Sequence, residues 1–342
     1  MITFKLSENF IKRYKSFTAS ELFESQKKIS KTDYWDHHSK KIKYNLNKNI
    51  LNIEGDSGFY YEEKNLFRKI KTIIKKVLVF LNKNEVRYLD YNVAFDKFLK
   101  NKTFFKSQVN LKKESLLIKN FKDIKNKFPF KRFAINYHVV RSYYIINLLN
   151  SYLDMKRVNC VLEIGPGSCN LISLLKHHYS TKCFVIVDLP ETQLASIPIV
   201  NELFPNSKIL FPNETTKKID KMSLKNYDFI FLTPNQINFL DDNLIDLSIN
   251  TNSFGEMHLE QVNEYINFIQ RVSKNGSFFF NTNRVEKYAV MNYEKQENFN
   301  TLPTRYFDYK FHNNDVKFFE ICDLTLQLQK FPVFKRLEKI IK

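Results

Sequence analysis

Apolar residues in the second half of the chain form short continuous runs that alternate with helix-spaced patterns. The runs predict buried strands over 158–164, 183–188, 227–232, 245–250 and 277–281, with a weaker one near 208–211. The helical spacing predicts helices over 168–179, 190–204 and 258–273. Strands that alternate with helices are typical of a parallel sheet covered on both faces. The pattern therefore predicts a doubly wound, mostly parallel α/β sheet.

The two ends of the chain have different patterns. A helix is predicted over 135–149, just before the first strand, and residues 1–135 are predicted to be mainly helical. Near the carboxyl terminus, 317–322 and 324–328 are predicted as an antiparallel pair at the sheet edge. These patterns divide the chain into a helical N-terminal region, residues 1–130, and a sheet domain, residues 131–342.

One N-terminal segment has a basic amphipathic pattern. Apolar residues recur at helical spacing from Leu66 to Leu81, and Arg68 with several lysines occupies the opposite face. Such a helix either docks on its own protein or lies on an anionic membrane surface. Peripheral membrane contact therefore remains open at this point.

The turn after the first sheet strand carries the most information. That strand ends on Glu163, and Gly165 and Gly167 follow before the next helix. The second strand ends on Asp188, 23 residues after Gly165, near the spacing at which an acid meets ribose hydroxyls. Glycine lets the backbone approach a ligand, and the helix start offers unpaired N–H groups. This arrangement predicts a nucleotide site in which a side chain at either glycine would take the ligand's space.

The residues of the turn limit which ligands it can bind. A dinucleotide fingerprint would have its third glycine at Asn170, and the G-x-x-x-x-G-K-[ST] pattern of a P-loop does not occur. An acid two residues before the first glycine would repel a phosphate, but it suits a positively charged ligand. S-adenosylmethionine carries an ammonium and a sulfonium, and it has ribose hydroxyls for Asp188. The turn therefore favours S-adenosylmethionine over NAD.

Three runs carry a family resemblance. Glu163–Gly167 and Val187–Glu191 resemble the first two motifs of class I S-adenosylmethionine-dependent methyltransferases. Ile249–Met257 resembles the segment after the fourth strand in the sugar O-methyltransferases of bacterial surface-glycan clusters, although Gly255 replaces an expected glutamine. The resemblance covers roughly residues 135–290. It implies a Rossmann-like class I fold, an N-terminal region that caps the substrate, and methylation of a sugar hydroxyl in capsule or lipopolysaccharide biosynthesis.

The amino-acid composition does not identify the molecule that accepts the methyl group. The 342 residues include 54 basic and 36 acidic side chains, a net charge of +18. This excess suits nucleic acid, an anionic membrane face or a phosphorylated substrate, but an AT-rich genome also explains it. We expect a sugar, nucleotide-sugar or glycan acceptor and no nucleic acid. The rivals are an RNA or protein methyltransferase and a non-catalytic module that docks on a membrane or partner, and the oligomeric state stays open.

The cysteines and the hydropathy pattern point to a cytoplasmic protein. Cys160, Cys169, Cys183 and Cys322 contain no C-x-x-C pair, and three of them lie in or beside predicted buried strands. They are expected to be small core residues of a reducing compartment. No signal-peptide pattern and no apolar stretch near ~20 residues occurs. No spacing of His, Asp or Glu predicts a metal site.

Candidate cofactor residues lie where the predicted strands end, because ligands of open α/β sheets bind beyond the carboxyl ends of the strands. The candidates are Glu163, Gly165, Pro166, Gly167, Asp188, Leu189, Asn235 and Gln236. In the resembled family the helix before the first strand helps close the pocket, so Arg141 could reach the cofactor carboxylate. A structural role for this arginine is the alternative.

Glu256 and His258 are the candidate catalytic residues, because they follow the strand after which the class I fold places the acceptor. A sugar hydroxyl is a poor nucleophile, so a base must remove its proton, and histidine titrates near neutral pH. Glu256 could be that base, could orient His258, or could hold a sugar hydroxyl. A plain first-turn acid, favoured by the helix dipole, is the alternative.

Four further residues are candidates for acceptor binding. Trp35, His37 and His38 combine an aromatic face with polar groups, as suits a sugar, although packing of the lone tryptophan would explain the cluster equally. Arg284 follows the strand 277–281 and could pair with an acceptor phosphate.

Overall fold

The computed structural model of the protein describes residues 2–26, 31–32, 35–36, 39–40, 42–54, 137–179, 183–287, 304–322 and 333–342. The predicted basic helix from Leu66 to Leu81 lies outside these stretches, as does the predicted boundary near residue 130. None of the helices within them has the length and apolar character needed to cross a bilayer.

The described N-terminal residues form strands as well as helices. The elements are β1 (Ile2–Lys5), α1 (Glu8–Thr18), α2 (Glu21–Gln26), β2 (Lys43–Asn47) and β3 (Ile50–Glu54). The three strands make a small antiparallel sheet in the order β1-β3-β2. The helical prediction did not include these strands, because β1 pairs with a strand almost fifty residues away and is too short to give a pattern of its own.

An eight-stranded sheet forms the centre of the fold. Its strands are β4 (Cys160–Ile164), β5 (Cys183–Val187), β6 (Ile209–Leu210), β7 (Phe229–Leu232), β8 (Ile245–Thr251), β9 (Ser273–Arg284), β12 (Asp315–Cys322) and β13 (Val333–Lys339). In the chain between β9 and β12, two short strands, β10 (Glu286–Lys287) and β11 (Thr304–Arg305), pair with each other outside this sheet. The spatial order is β12-β13-β9-β8-β4-β5-β7-β6.

The strand directions confirm the predicted fold class. All pairs from β9 to β6 are parallel, whereas β13 and β12 are each antiparallel to the neighbouring strand. The sheet is thus Rossmann-like, with an antiparallel edge pair. The predicted last strand, 324–328, lies outside the described residues, and the strand that pairs with β12 is β13.

Helices cover both faces of the sheet. They are α3 (Tyr137–Asn150), α4 (Asn170–His178), α5 (Pro190–Leu203), α6 (Lys221–Asn226) and α7 (Leu259–Val272). Helices α3, α4 and α5 bury their apolar residues in one core, and α7 buries its own in a second core on the other face. Every residue of β4 and β5 is buried, as expected for central strands covered on both sides.

The N-terminal elements share the first of these cores. Phe4, Tyr14 and Phe17 are fully buried and pack in one hydrophobic cluster with the apolar residues of α4 and α5. The Tyr14 hydroxyl donates to the Leu194 carbonyl in α5 at 2.9 Å. The Arg13 guanidinium also donates to the Glu214 carboxylate at 2.6 Å. The N-terminal segment is therefore packed into the sheet core by both apolar and polar contacts.

Candidate active site

Glu163 lies near the end of β4 and is 1% exposed. The Thr251 hydroxyl, at the end of neighbouring β8, donates to Glu163 Oε1 at 3.4 Å, whereas Oε2 has no hydrogen-bond partner among the described residues. Burial raises the pKa of this carboxyl from about 4.5 to about 8, against the lowering effects of the Arg141 charge and the Thr251 hydroxyl. A buried carboxyl with an orphan oxygen is costly for the fold, and it suits a cationic ligand.

Asp188 follows β5 and belongs to the same edge of the sheet. Its two carboxyl oxygens accept hydrogen bonds from Gly167 N at 3.0 Å and from Leu189 N at 2.8 Å. Burial raises its pKa to about 7, which these backbone donors oppose and the charge of Glu256 reinforces. Asp188 therefore fixes the glycine turn to the start of α5, and it lies within electrostatic range of Glu163 and Glu256.

Gly165 is required by the protein itself. It has a φ of +65°, and its N–H donates to the Val187 carbonyl at 2.8 Å. A Cβ at this position would lie 2.3 Å from Ser253 Oγ. The Ser253 hydroxyl is held there because it donates to the Ile164 carbonyl at 3.1 Å. A side chain at Gly165 would therefore collide with Ser253, and its effect on ligand binding stays a prediction.

We expect Gly165→Ala to destabilise the fold by two separable effects. A left-handed backbone costs alanine about 1–2 kcal/mol, and overpacking against Ser253 costs about 1–3 kcal/mol more. Ser253→Gly should relieve only the second effect, so the double variant should be more stable than the sum of the single changes implies. Urea denaturation of the four proteins measures this coupling. Gly276→Ala is the control, because its φ is +78° but its Cβ would meet nothing nearer than Lys339 Cε at 3.5 Å.

The two candidates after β7 differ in their availability. Asn235 is exposed, so its amide is accessible to a ligand. Gln236 is buried, and its amide accepts from Thr233 N at 3.0 Å while it donates to the Pro212 carbonyl at 2.8 Å. Gln236 thus holds the turn together, and a role in cofactor binding would cost it these contacts.

Glu256 lies in a one-turn 3-10 helix, Phe254–Glu256, between β8 and α7, and it is 7% exposed. Buried asparagines hold this turn. The Asn283 amide accepts from Gly255 N at 3.2 Å and donates to the Asn250 carbonyl oxygen Oδ1 at 2.8 Å. The network joins the ends of β8 and β9 to the turn, so Glu256 is carried on a fixed backbone beside Asp188.

The remaining candidates are His258, Arg284, Trp35, His37 and His38. His258 is half-buried at the start of α7, where its backbone N–H donates to the Gln261 side chain at 3.2 Å. Arg284 is half-buried at the end of β9, on the same edge of the sheet. Trp35 is half-buried, and His37 and His38 lie outside the described residues.

Three residues that contact the candidate site were not predicted from the sequence. Thr251 approaches Glu163 as described above. Thr32 is 2% exposed and donates through its hydroxyl to the Glu256 carbonyl at 2.7 Å, and Lys31 forms a buried ion pair with Glu191. Thr251 ends a strand on the predicted ligand edge and could have been found by that rule. Lys31 and Thr32 carry no pattern, because their partners lie 160 and 224 residues away.

No protein-family model and no curated protein sequence matches the chain. Similar solved structures include an S-adenosylmethionine-dependent methyltransferase from Aquifex aeolicus, 15% identical over 57% of this chain and 89% of the other, with a TM-score of 0.36. Another, from Methanosarcina mazei, is 11% identical over 57% of this chain and 97% of the other, with a TM-score of 0.38. Both neighbours are methyltransferases. Similarity this low transfers no activity, so the function proposed below rests on the residues of this chain.

Taken together, the edge of the sheet brings three acids into one buried group. Glu163 lies near the end of β4, and Asp188 and Glu256 follow the two strands that flank it, β5 and β8. Two of them have raised pKa values, so the protein itself stabilises their charges poorly. A ligand with positive charge and hydroxyl groups would supply what these carboxylates lack.

Proposed function

We propose that this chain is an S-adenosylmethionine-dependent methyltransferase. The observation that carries the proposal is the buried Glu163 carboxyl, whose Oε2 has no hydrogen-bond partner in the part of the chain that the structure describes and whose charge is disfavoured by burial. An ammonium donor at this oxygen would satisfy it and favour the ionised form. The acid therefore fits the amino group of the cofactor.

The neighbouring residues fit the rest of the cofactor. Asp188 can accept hydrogen bonds from ribose hydroxyls while it keeps its backbone donors, since each of its oxygens can accept more than one donor. The exposed amide of Asn235 would provide a further contact. Arg141 acts electrostatically on Glu163 and would pair with the cofactor carboxylate. These residues supply both charge and hydrogen bonds suited to the ligand.

The acceptor side is formed by the Glu256 turn. When bound, S-adenosylmethionine supplies an electrophilic methyl group. Glu256, or His258 two residues later, would remove the acceptor hydroxyl's proton and hold its oxygen in line, and such positioning supplies much of the rate. Because buried asparagines fix the turn, the carboxylate is kept in place before the acceptor arrives.

The proposed acceptor is a sugar hydroxyl, free, nucleotide-linked or part of a surface glycan. This choice is supported by the resemblance of Ile249–Met257 to the sugar branch, and by Trp35 and Arg284 as an aromatic face and a phosphate partner. The test is a transfer screen with methyl-labelled cofactor against nucleotide sugars and glycan fragments. Labelling of RNA or protein substrates alone would reject the sugar acceptor.

Cofactor choice is tested separately by calorimetry. We expect the protein to bind S-adenosylmethionine and S-adenosylhomocysteine and to bind NAD far more weakly. Absence of binding by both sulfur ligands would reject the proposed cofactor whatever the acceptor screen gives.

Cofactor binding is expected to release protons near pH 7. Because the folded pKa values of Glu163 and Asp188 are raised, to about 8 and about 7, both groups retain protons that the cationic ligand displaces. Affinity should therefore rise between about pH 6 and 8, whereas the ligand-free stability that these groups contribute falls as pH rises from about 4 to 8. Calorimetry at pH 7 in two buffers of different ionisation enthalpy counts the protons. Glu163→Gln should release fewer, and an unchanged count would contradict this role.

A further inference from the structure

Two consecutive N-terminal residues join opposite walls of the candidate site. Lys31 pairs with Glu191, in the first turn of α5, and the Thr32 hydroxyl donates to the Glu256 carbonyl. Glu191 follows β5 and Glu256 follows β8, and these strands flank β4. We call Lys31 and Thr32 the bridge, because they connect the two sides of the β4 glycine turn.

The contacts of the bridge are buried. Thr32 is 2% exposed, and the side chains of Lys31 and Glu191 are 8% and 10% exposed. Within the described stretches, Oε2 of Glu191 has no hydrogen-bond partner, and Lys31 pairs with the other oxygen of this carboxylate. Removing one partner of a buried ion pair leaves an uncompensated buried charge, and this cost favours the state in which Lys31 stays paired with Glu191.

The protein's own atoms also bury the residues proposed to hold the cofactor. Glu163 and Asp188 are almost completely covered, as are Ser168 and Cys169 at the start of α4. A ligand that contacts Glu163 and Asp188 therefore needs part of this cover to move. Among the described residues, two side-chain contacts tie the bridge to Glu191 and Glu256, whereas Glu163, Asp188 and the start of α4 belong to the sheet core or directly adjoin it.

We propose that the bridge is a gate: cofactor enters and leaves when Lys31 and Thr32 detach from Glu191 and Glu256, and their return completes the acceptor wall at Glu256. This inference rests on the proposed function for the identity of the ligand. It uses a segment far from the glycine turn in sequence, and it makes Thr32 a positioning residue for the Glu256 backbone.

The chain contains a built-in reporter for this motion. Trp35 is its single tryptophan, and it lies three residues after Thr32. Stopped-flow fluorescence at several concentrations of S-adenosylhomocysteine gives the association rate from the slope and the dissociation rate from the intercept. We expect Thr32→Val and Lys31→Met to raise both rates at least tenfold, because each removes a fastening of the closed state, and Thr32→Ser to behave like the parent.

The control is Arg13→Met. Arg13 also pairs with an acid of the sheet domain, Glu214, but this contact lies away from the glycine turn. It should lower thermal stability without changing the exchange rates. The double variant Lys31→Met, Glu191→Gln removes the ion pair without leaving a buried unpaired charge. We expect fast association and dissociation of S-adenosylhomocysteine to persist in this variant.

Hydrogen exchange tests the gate without ligand. The peptide Ile164–Leu171 should exchange faster in Thr32→Val than in Thr32→Ser, since the bridge joins the residues on either side of that turn. Equal exchange in both, or ligand rates in Thr32→Val equal to those of the parent, would overturn the gate. If the parent binds no S-adenosylhomocysteine by calorimetry, the proposed cofactor fails, and the hydrogen-exchange comparison still decides whether the bridge covers the turn.

Discussion

Glu256→Gln is expected to lower methyl transfer to the identified acceptor by about 10²–10⁴-fold if Glu256 is the base, while cofactor affinity stays near that of the parent. The amide keeps the shape of the side chain but cannot accept the proton. The turn should keep its place, because Asn283 and Thr32 hold its backbone rather than its carboxylate. Initial rates with labelled cofactor and calorimetry with S-adenosylhomocysteine measure the two quantities.

His258→Ala distinguishes the two candidate bases. If histidine removes the proton, this variant loses most turnover, and Glu256→Gln then shows a smaller loss from weaker orientation. A first-turn acid that merely stabilises the helix would contribute well under about 1 kcal/mol to stability and almost nothing to rate. Parental turnover in both variants would place the base elsewhere, and His37 and His38 would be the next residues to change.

Asp188→Ala is expected to weaken cofactor binding by about 1–3 kcal/mol, or roughly fivefold to more than a hundredfold. The change removes the acceptor for ribose hydroxyls, and it also releases Gly167 N and Leu189 N from their shared anchor. Asp188→Asn is the matched variant, since its amide oxygen can keep one of these contacts. We expect it to lie between the parent and Asp188→Ala in calorimetric titrations.

The thermal stability of the same proteins separates binding from folding. If Asp188 serves only the turn, Asp188→Ala should unfold at a lower temperature but bind S-adenosylhomocysteine normally once folded. Equal affinity in a folded Asp188→Ala protein would therefore contradict its proposed contact with the ribose.

The central sheet was predictable because each parallel strand has its own apolar run. The predicted strands 183–188 and 245–250 match β5 and β8 within one residue at their ends. Short or distantly paired elements were not predictable. Helix α6 buries none of its residues, so no apolar stripe marks it, and β13 lies beyond the segment that was predicted to form the last strand.

The candidate site divides in the same way. Glu163 and Asp188 were predictable because strand ends on one edge of a parallel sheet must meet. The reason for Gly165 was not predictable, since Ser253 reaches it from another strand end. Gln236 looked like a ligand contact because amides bind nucleotides, yet its hydrogen bonds stay within the protein.

The shared core of the N-terminal elements and the sheet has a practical consequence for how the chain can be divided. Truncation to residues 131–342 would remove Phe4, Tyr14 and Phe17 and expose the apolar residues of α4 and α5 to water. Such a fragment would be prone to aggregate. The two regions are expected to melt in one cooperative transition, and changes of specificity grafted onto the N-terminal part must preserve the residues that pack beneath it.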